Sequence, residues 1–141
     1  MTIPAWSDAW QDLFDRLGRM KETWPTRGWE WDARFGCCTS AFTVDQEAAA
    51  RAATALALPT EWTSATIGEA PPPLRDLVER AGGVRRGQRV LSHGPLEGLT
   101  AYGLWWPWGN GKVVSLRVGL ADVDPQHEPY LQLRNLFGVT V

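Results

Sequence analysis

Residues that build catalytic and metal centres are scarce in this chain. Its 141 residues hold two histidines and two cysteines. The cysteines, Cys37 and Cys38, are neighbours. Adjacent side chains of extended backbone point to opposite faces, so a bridge between them is sterically poor. They read as two buried, reduced thiols of a cytoplasmic protein. Long apolar runs are missing too. No stretch approaches the roughly 20 residues that span a bilayer, and MTIPAWSDAWQDLF lacks the basic start and unbroken apolar run of a signal peptide. The expectation is a cytoplasmic protein with no membrane role.

Basic charge is in short supply. The formal net charge is −2, whereas affinity for a phosphate backbone needs a clustered basic surface; no nucleic-acid partner is expected. Arg85, Arg86 and Arg89 form the only basic cluster, and it reads first as a solvated face. The glycines of GGVRRGQ and GLWWPWGNGK do not follow a strand and open a helix with the Lys-Ser/Thr pair that cradles phosphates. No cofactor is expected.

Tryptophan, by contrast, is abundant: nine residues, each able to bury a large aromatic area in a core or an interface. The length suits one domain, residues 1–141, with enough apolar surface to fold without disulfides or metal. Trp6, Trp10, Leu13, Phe14, Leu17, Met20 and Trp24 recur at three- and four-residue steps, which predicts an amphipathic helix over 5–23 stopped by Pro25. Trp29, Trp31, Ala33 and Phe35 alternate with Glu30, Asp32 and Arg34, the period-two signature of a strand within 28–42. Thr43 and Gln46 form a capping box ahead of an alanine-rich helix to Leu58, with Ala48, Ala52 and Ala55 as its close-packing stripe.

A short strand in EWTSATIGEA, a helix over LRDLVERA ended by Gly82-Gly83, and strands in RGQRVLSHG, LTAYGLWW and KVVSLRVGL follow. A last helix begins at Asp124-Pro125 or at Pro129 and runs to Gly138. The order of elements predicts an α+β domain: a largely antiparallel sheet of four or five strands, the N-terminal helix, and two or three further helices.

Asn110-Gly111, between LWWPW and KVVSLRV, marks a hairpin. Pro107 has no N–H to donate and belongs at an edge, a bulge or a strand end. Trp105 and Trp106 then point to opposite sides, and Trp108 falls beyond the proline near the tip. Either helices cover both faces and all three pack, or Trp106 and Trp108 offer an aromatic platform to a partner.

Chemical candidates are thin. His93, beside Ser92 and four residues before Glu97, could act as a general base, with Cys37 or Cys38 the only thiol nucleophiles. A turn hydrogen bond explains His93 more simply. Asp122, Asp124, His127 and Glu128 could begin a metal site, but their spacing matches neither a calcium loop nor a zinc motif, and Asp124 reads as a helix start. No metal is expected. Arg85, Arg86 and Arg89 could grip a carboxylate or phosphate, on a small anion or an acidic protein partner. Three function classes follow. The first is a small protein-binding inhibitor, similar in size and composition alone to bacterial toxin-neutralising immunity proteins, using Trp105, Trp106, Trp108 and Asn110 together with the arginines. The others are a homodimeric or larger assembly subunit, and a small enzyme centred on His93.

Overall fold

The computed structural model describes residues 8–96, 99–121, 123–124 and 126–139. The first element is α1 (Asp8–Thr23). Trp10, Leu13, Leu17 and Met20 fall on its buried stripe, and Trp10 meets Phe14 edge-on, 4.8 Å between centroids. Trp6 lies outside the described residues. The segment read as one strand is a hairpin instead: β1 (Glu30–Asp32) turns back into β2 (Cys37–Thr43). Asp32 explains the break. Its Oδ1 accepts the amides of Arg34 and Phe35 at 3.0 and 3.2 Å, an Asx turn that competes with extended backbone. Gly36, at φ 64°, completes the reversal. The alternation of Trp29 and Trp31 is therefore strand signal, while that of Ala33 and Phe35 is coincidence within a turn.

The Thr43–Gln46 box forms, with Gln46 Oε1 accepting the Thr43 amide at 3.1 Å, and leads through a short 3-10 turn into α2 (Glu47–Ala55). The buried stripe of α2 is Ala50, Ala53 and Thr54, continued by Ala57; Ala48, Ala52 and Ala55 face solvent. An alanine-rich run has little hydrophobic contrast from which to read its phase. Then come β3 (Thr60–Trp62), α3 (Pro72–Arg80), β4 (Arg89–Leu96), β5 (Leu99–Pro107), β6 (Val113–Ala121) and α4 (Glu128–Phe137). The last helix starts near Pro129, not at Asp124: Asp124 Oδ1 and O accept the amides of Gln126 and His127 in a local turn.

The six strands run in the order β1-β2-β6-β5-β4-β3, every neighbouring pair antiparallel. This is an α+β domain. Its edges are the two short strands: β3, which lies at the start of the expected EWTSATIGEA strand, and β1, the extra strand made by the division of the 28–42 segment. Register sorts the two faces. Ala101 and Trp105 of β5 lie across from Leu120 and Leu116 of β6, and with Cys38 and Phe42 they form the core under α1, α2 and α4. Cys37, Tyr102, Leu104 and Val90 point the other way, under α3. The helices hold the sheet by side-chain burial on both sides, and Lys21 Nζ ties α1 to the end of α4 through Leu136 O at 2.9 Å.

Candidate interaction surface at the tryptophan hairpin

The β5–β6 ladder continues to the pair Pro107–Val114. Beyond it the Trp108 amide donates to Val113 O at 2.8 Å and the Gly111 amide to Trp108 O at 3.2 Å. Asn110 contributes through its side chain, whose Oδ1 accepts the Lys112 amide at 2.8 Å, and Gly111 supplies the left-handed residue at φ 68°. Pro107 is the last residue of β5, where its missing N–H costs no ladder bond.

The three tryptophans have three environments. Trp105 is core, 5.0 Å from the Phe42 ring centroid and 3% exposed. Trp106 takes the opposite face, partly buried against the cluster beneath α3. Trp108 is 51% exposed, the most exposed large hydrophobic residue among those described. Elsewhere Trp24 is sealed, its Nε1 donating to Ser40 Oγ at 3.0 Å, while Trp29 and Trp31 are partly buried against the three-helix core.

Trp108 borders a groove of about 390 Å³ on the sheet face that α3 leaves open, with Glu30, Asp32, Thr39, Ala41, Ser115 and Arg117 along it. Its floor is fixed. Arg117 Nε donates to Asp32 Oδ2 at 3.2 Å and Nη1 to Ser115 Oγ at 3.2 Å, and the guanidinium lies 5.1 Å from the Phe35 ring centroid. Since Asp32 is committed to this pair and to the β1–β2 turn, Glu30, which is exposed, is the carboxylate available at the rim.

No protein-family model matches the chain, and neither does any curated protein or solved structure.

The remaining candidate groups are dispersed. His93 sits on β4, partly buried, its Nδ1 without a hydrogen-bond partner among the described residues. Burial, then the Arg16 charge, lowers its pKa from 6.5, with Asp12 opposing. Cys37 and Cys38 lie on β2, three strands away in the sheet, about 14 Å at the usual strand spacing. Burial lifts both thiols to about 12, so they are protonated and poor nucleophiles at neutral pH. Glu97 and Asp122 lie outside the described residues. Asp124 and His127 are exposed and Glu128 opens α4. Among the described residues no three His, Cys, Asp or Glu side chains gather into a metal site.

The arginine trio is divided in its roles. Arg85 and Arg86 are exposed in the loop before β4, where the Arg85 amide donates to Gln88 Oε1 at 2.7 Å. Arg89 is drawn into β4 and pairs with Glu61 at 3.0 Å.

Two constellations had no local signal in the sequence. In one, the phenols of Tyr102 and Tyr130, both buried, meet over Gly119 near Cys37. Tyr130 Oη accepts the Leu120 amide at 3.0 Å. Burial raises Tyr130 to about 12 and Tyr102 well above 10.0. In the other, Arg51 and Arg89 converge on Glu61. Each set draws on elements far apart in the chain, and a lone glycine in an apolar strand, Gly119, is the one hint of close approach.

Proposed function

We propose that the chain is a small cytoplasmic binding protein of inhibitor type, which occludes a partner protein through the Trp108 tip and the groove beside it. The observation that carries the proposal is the exposure of Trp108 at the end of a hairpin arm, β5, that core residue Trp105 anchors three residues earlier. A large apolar ring with only two side-chain torsions, exposed on a backbone that hydrogen bonds pin to Val113 and Gly111, loses little conformational freedom on binding, the property of an interface anchor. The anchor enters an apolar pocket of the partner, and Glu30 meets a basic residue at the rim, fixing orientation and association rate more than affinity. An immunity-type role, with a toxin or enzyme as the target, suits this arrangement. The separation of His93 from both thiols, and the raised thiol pKa values, weigh against a Cys–His enzyme.

The test is differential capture from a lysate of the native host with wild-type and Trp108→Ala proteins of equal thermal stability. A partner held by the first and lost by the second supports the proposal. Equal capture by both overturns it. So does a wild-type dimer that Trp108→Ala dissociates in sedimentation velocity, because the occupant is then a second copy of the chain.

A further inference from the structure

We infer that the hollow between α2 and the β3–β4 edge is a binding site for a small organic monocarboxylate, separate from the Trp108 surface. Arg51 of α2, Glu61 of β3 and Arg89 of β4 stand around a hollow of about 180 Å³ whose apolar wall is Leu58, Leu91 and Trp105. Arg89 occupies a strand position directly across from Trp105, on the face that elsewhere along β4 and β5 carries core residues. A guanidinium there is expensive unless its donors are used. Glu61 uses only some of them: its Oε1 forms an ion pair with Arg89 Nε at 3.0 Å and its Oε2 accepts Arg51 Nη2 at 3.4 Å. Arg89 Nη1 is buried and has no hydrogen-bond partner among the described residues.

Charge and shape then choose the ligand. Two guanidinium groups against one carboxylate leave a single positive charge, which a monoanion neutralises and a dianion exceeds. Planar guanidinium forks match a carboxylate in bidentate fashion. The apolar wall calls for a hydrocarbon body, and the indole of Trp105, 6.0 Å from the Arg51 guanidinium carbon, offers a flat surface to an aromatic one. The volume lies below the roughly 300 Å³ of drug-sized pockets, so the ligand is a fragment such as an aryl carboxylate. Glu61 remains as the strut that spaces the two arginines.

Benzoate is the probe, and the indole N–H resonance of Trp105 is the readout. The resonance should shift saturably with benzoate. It should respond at least tenfold more weakly to benzyl alcohol, which has the same ring without the charge, and to inorganic phosphate, which has charge without the ring. Arg89→Gln should weaken benzoate binding tenfold or more, the scale of a lost charged hydrogen bond. Arg51→Gln, at a more solvent-exposed position that spares the fold, should weaken it in the same direction, and Trp108→Ala should bind as wild type does. A non-saturating response to benzoate overturns the inference. Equal affinity for benzyl alcohol or phosphate also overturns it, as does wild-type affinity in Arg51→Gln.

Discussion

Replacing Gly119 by alanine tests how tightly the two phenols close on the sheet. A Cβ built at Gly119 would stand 2.5 Å from Tyr102 Oη and 2.7 Å from Tyr102 Cζ, and closer still to Tyr130 Oη. Real Cβ atoms do not approach so near, and both rings are buried and held by packing from two layers. Relief therefore requires moving at least one ring, which costs about 1–3 kcal/mol as overpacking. Movement of Tyr130 also breaks its bond from the Leu120 amide, a net loss of about 1 kcal/mol. The expected destabilisation of Gly119→Ala is roughly 2–4 kcal/mol, a large share of a typical domain's stability. Urea unfolding reads it as a lowered midpoint with an unchanged m value. Gly68→Ala is the control, because a Cβ there meets nothing within 4 Å and should change stability by less than about 0.5 kcal/mol. The double variant Gly119→Ala/Tyr130→Phe should cost less than the sum of its parts, since one clashing oxygen is gone. Equal stability of Gly119→Ala and Gly68→Ala would refute the close approach of the phenols.

Further expectations concern pH, thiols and the β1–β2 turn. Tyr102 and Tyr130 are the only tyrosines and Cys37 and Cys38 the only cysteines, and all four have folded pKa values raised by burial. The stability they hold is present below the ordinary thiol value of 9.0 and drains away as pH rises toward about 12. Tyrosinate absorbance and reaction with a thiol reagent should then appear together with unfolding; free titration of either tyrosine in the folded protein would contradict this. His93 is depressed by burial and Arg16, so its contribution is present above pH 6.5 and lost as pH falls through the folded value. A His93→Gln variant should lose less stability than wild type between pH 7 and about 5. Asp32→Ala removes the partner of Arg117 and the acceptor of two turn amides. It should cost about 1–3 kcal/mol in urea unfolding, and a loss below about 0.5 kcal/mol would show that the turn forms without it.

The fold was legible where sequence contrast is strong. The tryptophan and leucine spacing of α1, the Thr43–Gln46 box, Pro129 and the Asn110-Gly111 hairpin each have a local cause, and each element forms where that cause lies. It was illegible where contrast fails: the alanines of α2 carry no phase, and the alternation through Ala33 and Phe35 conceals an Asx turn at Asp32. The opposed directions of Trp105 and Trp106 followed from strand geometry alone. The Arg51–Glu61–Arg89 group did not, because it is brought together by packing α2 on the β3–β4 edge, through contacts between residues 10 and 28 positions apart.

The most direct test of the proposed role is to measure stability and capture on the same Trp108→Ala protein. Its unfolding free energy should stay within about 0.5 kcal/mol of wild type, in contrast to Trp105→Ala, which should lose about 3–5 kcal/mol. Its affinity for the captured partner should fall about thirtyfold, the effect of losing a hot-spot residue of roughly 2 kcal/mol. A Trp108→Ala protein destabilised by about 2 kcal/mol or more would make Trp108 a packing residue. One that keeps its wild-type affinity would remove the anchor.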